Sequence, residues 1–138
     1  MLISKICIII GGFLSLFMAL FHTQFYKLFN WQKDFEKISA INQKVFYTIH
    51  LASLLLFLVF SFLSFAFTNE LSQCSGLACG VTFAYSLFWL WRTIWQMIYF
   101  RPPKSQKAEK MIFLHYLLII VFGILFVVYL IPFIFKII

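Results

Sequence analysis

The sequence predicts an all-α membrane protein, a four-transmembrane-helix bundle with an amphipathic interfacial helix between spans 1 and 2. The first observation is composition: of 138 residues, 64% are hydrophobic and only 11% are charged, whereas soluble domains carry about 25% charged residues. The second is that the apolar residues fall into four stretches, each long enough at about 1.5 Å per residue to cross a hydrocarbon core of about 30 Å. The third is that most charged residues lie between these stretches. We therefore expect a single integral membrane domain over residues 1–138.

The four spans are predicted at about residues 3–21, 45–67, 77–100 and 111–135. Pro102 and Pro103 should end the third span sharply, because proline lacks the backbone N–H that a helix needs. The first span has the outline of a secretory signal peptide, but Phe21-His22-Thr23 does not provide the small residues of a cleavage site. We expect it to be retained as a membrane span.

The segment between the first two spans carries a helical pattern of its own over about residues 31–44. Phe35, Ile38 and Ile41 recur at steps of three residues, with lysines elsewhere around the helix. This pattern is typical of an amphipathic helix that lies on a membrane surface. Trp31 suits the headgroup region, where tryptophan is enriched.

Basic residues predict the orientation of the bundle. The first and third connections together hold eight lysines and arginines, whereas the N-terminus, the second loop and the C-terminus hold only Lys5 and Lys136. By the positive-inside rule the basic connections are cytoplasmic and both termini lie outside. The net charge of +7 is thus explained by topology and acidic lipids, and nucleic acid is not expected as a partner.

Polar side chains from all four spans are predicted to converge near the cytoplasmic face. Counting the helical rise inward from the span ends places His50, His115 and Gln96 at a similar depth, with His22 at the boundary and Arg92 slightly deeper. Ionisable groups inside a membrane are costly and indicate a functional site. We therefore predict a ligand-binding site formed by His22, His50, Trp89, Arg92, Gln96 and His115.

The first function hypothesis for this site is binding of an anionic amphiphile or lipid-like ligand. Arg92 would bind the head, Gln96 and the histidines would hydrogen-bond it, and Trp89 would line the tail channel. In the alternative interpretation of Arg92, its long stem lets the guanidinium reach the cytoplasmic headgroups. No span contains a carboxylate, so a proton-coupled antiporter is not predicted.

Two further function hypotheses stay open. The protein could be a membrane redox or acid/base enzyme subunit, in which the three histidines act as acid/base groups or bind a metal, or His50 and His115 hold a haem. It could also be a structural accessory subunit, in which the histidines only hydrogen-bond neighbouring helices. The partners that these hypotheses imply are membrane lipids, a partner membrane subunit or a second copy of the chain.

The three cysteines are predicted at the end of the bundle opposite the histidines. Free or buried thiols are the expectation for Cys7, Cys74 and Cys79. A bridge between Cys74 and Cys79, or between one of them and Cys7, is the alternative if that end faces an oxidising exterior.

Four runs of residues carry a resemblance to a known group. They are His22-Thr-Gln-Phe25, Phe29-Asn-Trp31, Ile41-Asn-Gln-Lys-Val-Phe-Tyr-Thr-Ile-His50 and Phe88-Trp-Leu-Trp-Arg-Thr-Ile-Trp-Gln96. Over about residues 20–130 the chain resembles a group of small bacterial four-span integral membrane proteins that has no established activity. The resemblance implies a location in the bacterial inner membrane and adds no function.

Overall fold

A computed structural model of the protein describes residues 2–101 and 109–138. Its elements, in chain order, are α1 (Leu2–His22), α2 (Phe25–Leu28), α3 (Trp31–Phe35), α4 (Ala40–Ala66), α5 (Thr68–Gln73), α6 (Leu77–Ile98) and α7 (Glu109–Ile137). Within these described ranges there is no strand. The predicted stop at Pro102 and Pro103 lies outside the described residues.

Four of the helices, α1, α4, α6 and α7, are long and apolar enough to cross a membrane. The predicted all-α four-helix membrane bundle is confirmed. The protein is therefore an integral membrane protein, and its many exposed apolar side chains face lipid.

The interfacial segment differs from the single helix predicted over residues 31–44. Helix α3 ends at Phe35, and α4 begins at Ala40 after a break. Ser39 adopts an extended conformation (φ −61°, ψ 153°) and its hydroxyl accepts a hydrogen bond from the amide of Asn42 at 3.4 Å. Serine at this position is a strong helix start signal, so the apolar repeat is divided between two helices.

The side chain of Gln43 on α4 hydrogen-bonds back across the break to the end of α3. Its amide nitrogen donates to the carbonyl of Phe35 at 2.9 Å and to that of Ile38 at 3.3 Å. The carbonyl of Phe35 also accepts from the amide of Ile38 at 3.2 Å, so both carbonyls are satisfied although α3 does not continue. The break is therefore a hydrogen-bonded corner that turns the chain from the interfacial segment into the second span.

The four spanning helices are arranged in a ring. Helix α1 packs between α4 and α7, and α6 packs against α7. Between α4 and α6 the contact is made by stacked rings, with centroids 3.8 Å apart for Phe60 and Tyr85 and 5.4 Å apart for Phe57 and Trp89.

Small residues on α1 allow its neighbours to come close. Gly11, Ser15 and Ala19 are buried in the bundle, as expected for a stripe of small residues on a membrane helix. A Cβ added at Gly11 would lie 2.7 Å from the ring carbon Cζ of Tyr129 on α7. Because Gly11 has no side chain, α1 and α7 pack closer together than a residue with a Cβ would allow.

Tyr129 joins three helices at the centre of the bundle. Its side chain is fully buried, and its hydroxyl lies 2.7 Å from Oγ of Ser64 on α4 and 3.3 Å from Oγ of Ser15 on α1. Ser64 also donates to the carbonyl of Phe60 at 2.7 Å, so its oxygen accepts from Tyr129. A hydrogen bond network in the apolar interior thus fixes the register of α1, α4 and α7.

The cysteines lie at the opposite end of the bundle from the histidines. Cys74 and Cys79 form a disulfide that joins the end of α5 to the first turn of α6, whereas Cys7 is a buried free thiol. The expectation of free thiols therefore holds for Cys7 and is wrong for the other two, because the turn between α5 and α6 brings their side chains together.

Candidate functional site

The candidate site lies at the histidine end of the bundle, which we define as the end where α1 and α6 finish and α4 and α7 begin. Two cavities occupy this end. Phe29, from the turn after α2, and Phe100, just after α6, line both of them. Their ring centroids lie 6.5 Å apart at an interplanar angle of 78°, so this ring pair forms a wall that the cavities share.

The first cavity, which we call the His50 cavity, has a volume of about 490 Å³. It is bounded by the end of α1, by α2 and α3, and by the first half of α4. Its walls are mainly aromatic, with one carboxylate. The lining residues are His22, Phe25, Phe29, Trp31, Asp34, Phe46, Ile49, His50, Ser53 and Phe100.

Two of the predicted site residues, His22 and His50, stack on each other in this cavity. Their ring centroids are 4.2 Å apart at 18°. Trp31 meets His50 edge to face at 4.8 Å, and Phe57 meets His22 in the same way at 5.4 Å. Nε2 of His22 is buried and, among the described residues, has no hydrogen bond partner.

The second cavity, which we call the His115 cavity, has a volume of about 420 Å³ and lies between the end of α6 and the start of α7. It combines polar side chains with an apolar floor. The lining residues are Phe29, Gln96, Tyr99, Phe100, Arg101, Met111, Leu114, His115 and Leu118.

Gln96 and His115 form a hydrogen bond across the His115 cavity. Nε2 of Gln96 lies 3.3 Å from Nδ1 of His115, and both side chains are buried. Since an amide nitrogen can only donate, Nδ1 of His115 is the acceptor and its ring proton resides on Nε2. The imidazole therefore offers one N–H donor beyond this bond.

Arg92 does not line either cavity. Its guanidinium carbon lies 5.0 Å from the ring centroid of Phe122 and 5.7 Å from that of Trp91. This is the geometry of a cation–π contact, and among the described residues no carboxylate pairs with the guanidinium. Arg92 is thus held half-buried against aromatic rings on the α6–α7 side.

Trp89 is part of the core and lines neither cavity. Its side chain has no exposed surface and is stacked between Phe57, at a centroid distance of 5.4 Å, and Phe122, at 5.5 Å. Its indole Nε1 has no hydrogen bond partner in the part of the chain that the structure describes. The role predicted for Trp89 as the lining of a tail channel therefore lacks support from these cavities.

The six predicted residues are thus divided into two cavity groups and a core group, rather than one pocket. His22 and His50 belong to one cavity, Gln96 and His115 to the other, and Arg92 and Trp89 to the aromatic core between them. Residues 2–101 and 109–138 contain no group of three His, Cys, Asp or Glu side chains placed to hold a metal ion. His50 and His115 line different cavities, which share Phe29 and Phe100 as lining residues.

Sequence reasoning did not assign four of the residues that shape these cavities. Phe29 and Phe100 lie in connecting segments, where an aromatic residue gives no periodic signal. Arg101 was counted only among the basic residues that predict the orientation, and Asp34 was not included in the predicted site. The sequence feature that could have identified these four residues is their position next to helix ends on the same side of the bundle as the histidines.

Comparison of the chain with family profiles, with curated proteins and with solved structures finds no match.

Proposed function

We propose that this protein binds an acidic amphiphile in the His115 cavity, as an integral protein of the bacterial cytoplasmic membrane. The observation that carries the proposal is the composition of this cavity. It combines the hydrogen bond donors of Gln96, His115 and Arg101 with the apolar side chains of Met111, Leu114 and Leu118. A site that offers both polar donors and apolar surface suits a ligand with an acidic head and a hydrocarbon tail.

The head would be bound by Arg101 and His115. Nε of Arg101 donates to the carbonyl of Met97 at 3.4 Å, which orients the side chain along the end of α6 and leaves the terminal guanidinium nitrogens for a ligand. A guanidinium pairs with phosphate or carboxylate through two parallel hydrogen bonds. The Nε2 proton of His115 adds a third donor, and Gln96 holds the imidazole in the tautomer that supplies it.

The tail would follow α7 into the membrane. Leu114 and Leu118 are one helical turn apart and face the cavity with Met111. Arg92 is replaced by Arg101 as the proposed head ligand, because Arg92 points its guanidinium at Phe122 and Trp91.

Two features support the orientation with the histidine end in the cytoplasm and both termini outside. Lysines and arginines are concentrated in the connections at this end, as the positive-inside rule requires. The Cys74–Cys79 disulfide lies at the other end, and such bonds persist in oxidising compartments. The resemblance to small bacterial membrane proteins supports the inner membrane as the location.

Native mass spectrometry of the protein in a mild detergent tests the proposal, combined with lipid extraction and a visible absorption spectrum. We expect a bound acidic lipid near one per chain in the wild type. In Arg101→Gln the affinity for this lipid should fall at least about tenfold, and its occupancy should fall with it, since losing a charged hydrogen bond of roughly 1.5–3 kcal/mol weakens binding by that order.

Lys27→Gln is the matched control, because it removes one exposed cation from the same end without altering the cavity lining. Equal lipid occupancy in Arg101→Gln and Lys27→Gln, or a bare protein mass in the wild type, would overturn the proposal. Visible absorption would favour the redox hypothesis instead, and a co-purifying second polypeptide would favour the accessory-subunit hypothesis.

A further inference from the structure

The hydrogen bond between Gln96 and His115 joins an uncharged side chain to a titratable one inside the His115 cavity. The two residues are 2% and 9% exposed, and Nε2 of Gln96 lies 3.3 Å from Nδ1 of the imidazole. Because the amide carries no charge, a proton taken up by His115 raises the net charge of the cavity by one unit. A carboxylate in the position of Gln96 would offset most of that charge, since opposite charges attract strongly at hydrogen bond distance.

The amide of Gln96 can hydrogen-bond His115 in both protonation states. An amide has donors on its nitrogen and an acceptor on its oxygen, whereas an imidazolium donates from both ring nitrogens. The last torsion angle of glutamine is broad and roughly two-fold, so a half-turn exchanges Nε2 for Oε1. Within residues 2–101 and 109–138, Oε1 of Gln96 makes no hydrogen bond that this rotation would break. Protonation of His115 therefore reverses the direction of the hydrogen bond and keeps it.

The charged and titratable groups around the imidazole come from the helices that meet at this end. Arg101 lines the cavity beyond the end of α6, and Arg92 lies on α6 about one turn before Gln96. No aspartate or glutamate lines the cavity, so its lining offers no counter-charge to an imidazolium. The other titratable groups are Tyr99 in the lining, Tyr116 with its ring 5.4 Å from that of His115, the exposed Glu109 and Lys110 in the first turn of α7, and His22 and His50, from α1 and α4, in the other cavity.

We infer that His115 couples the binding of an acidic head to the uptake of one proton, so that acidification strengthens binding in the His115 cavity. This inference rests on the function proposed above for the same cavity. An acidic head supplies the counter-charge that the lining lacks, and it therefore stabilises the imidazolium more than the neutral imidazole. The proton comes from the solution and is held on Nδ1, where Oε1 of Gln96 accepts it. The effect is reciprocal, because protonated His115 binds the head more tightly by the same factor.

A titration with dioleoylphosphatidylglycerol at two pH values tests the coupling, with native mass spectrometry of the protein in a mild detergent as the measurement. The phosphodiester of this lipid stays singly charged at both values, so the lipid itself contributes no proton. Affinity should be about tenfold higher at about pH 5.5 than at about pH 8, on either side of the ordinary titration range of histidine. A pH indicator in weak buffer near pH 6.5 should report net proton uptake, up to about one proton per bound lipid, when the lipid is added.

Three variants assign the pH dependence to this pair. His115→Gln cannot take up the proton, so its affinity should be the same at both pH values. Gln96→Glu keeps the histidine but supplies a counter-charge inside the protein, so the ratio of the two affinities should shrink even where His115→Gln fails to fold. His50→Gln is the matched control, because it removes a histidine from the same end without altering the lining of the His115 cavity, and it should keep the tenfold ratio.

Equal wild-type affinity at the two pH values overturns the coupling, and so does a wild-type ratio in His115→Gln or in Gln96→Glu. Loss of the ratio in His50→Gln overturns it as well, because the proton would then be taken up in the other cavity. The coupling and the proposed function fail in distinguishable ways. Lipid binding that is equally tight at both pH values overturns only the coupling, whereas absence of lipid binding at both values overturns the proposed function and the coupling with it.

Discussion

Replacement of Gly11 by alanine tests how tightly α1 and α7 are packed. The new Cβ would lie 2.7 Å from Cζ, 3.0 Å from the hydroxyl oxygen and 3.1 Å from Cε1 of Tyr129, whereas ordinary contacts begin at 3.4 Å. The ring or the helix must therefore move by the difference between 3.4 Å and 2.7 Å, which is 0.7 Å. Tyr129 cannot simply rotate away, because it is fully buried and its hydroxyl is bonded to Ser15 and Ser64.

The magnitude follows from two opposing effects. Overpacking in a close-packed interior costs typically about 1–3 kcal/mol. Alanine is favoured over glycine inside a helix by up to about 1 kcal/mol. We therefore expect Gly11→Ala to lower the free energy of unfolding by about 1–2 kcal/mol, measured as reversible unfolding in mixed micelles with increasing denaturing detergent.

Gly123→Ala is the matched control on α7. A Cβ at Gly123 meets nothing within 4 Å, so only the helix preference acts, and the expected change is neutral or stabilising by up to about 1 kcal/mol. The critical result is that the two substitutions change the free energy of unfolding in opposite directions. If Gly11→Ala were as stable as Gly123→Ala, the argument that the missing side chain sets the α1–α7 distance would be refuted.

Two further predictions concern the interior and the cysteine end. Tyr129→Phe should lower the free energy of unfolding by about 0.5–1.5 kcal/mol in the same assay, since interhelical hydrogen bonds in membrane proteins are modest; a larger loss than that of Gly11→Ala would contradict this ranking. In thiol labelling, Cys79 should react in the folded protein only after reduction, whereas Cys7 and Cys74, which are both buried, should react only after denaturation, and Cys74 then only once the disulfide is reduced; labelling of Cys79 in the oxidised protein would contradict the disulfide.

The helices and their inward faces were predictable because both follow from local periodicity. Two of the site residues predicted on the third span, Trp89 and Gln96, are buried in α6, for instance. The start of α4 was missed although its signal was present: Ser39 is a preferred N-cap residue, but the apolar repeat through Ile38 and Ile41 suggested one continuous helix.

The division of the polar cluster could not be predicted from depth. Shared depth fixes the position of a residue along the membrane normal, but not the direction from the bundle axis in which its side chain points. His50 and His115 lie at the same end and yet belong to different cavities, because Phe29 and Phe100 lie between them. Those two rings come from connecting segments, whose conformation depends on tertiary packing rather than on a repeat.

The helix contacts of the bundle are of two kinds. Helix α1 packs closely against α4 and α7 because its glycines have no side chain. The hydroxyl of Tyr129 on α7 adds contacts to serines on α1 and α4. Helix α4 meets α6 through aromatic rings, stacked in the case of Phe60 and Tyr85 and edge to face in the case of Phe60 and Phe88. The two sides of α4 are therefore spaced differently: small residues let the α1 backbone come close on one side, whereas bulky rings hold the α6 backbone further away on the other.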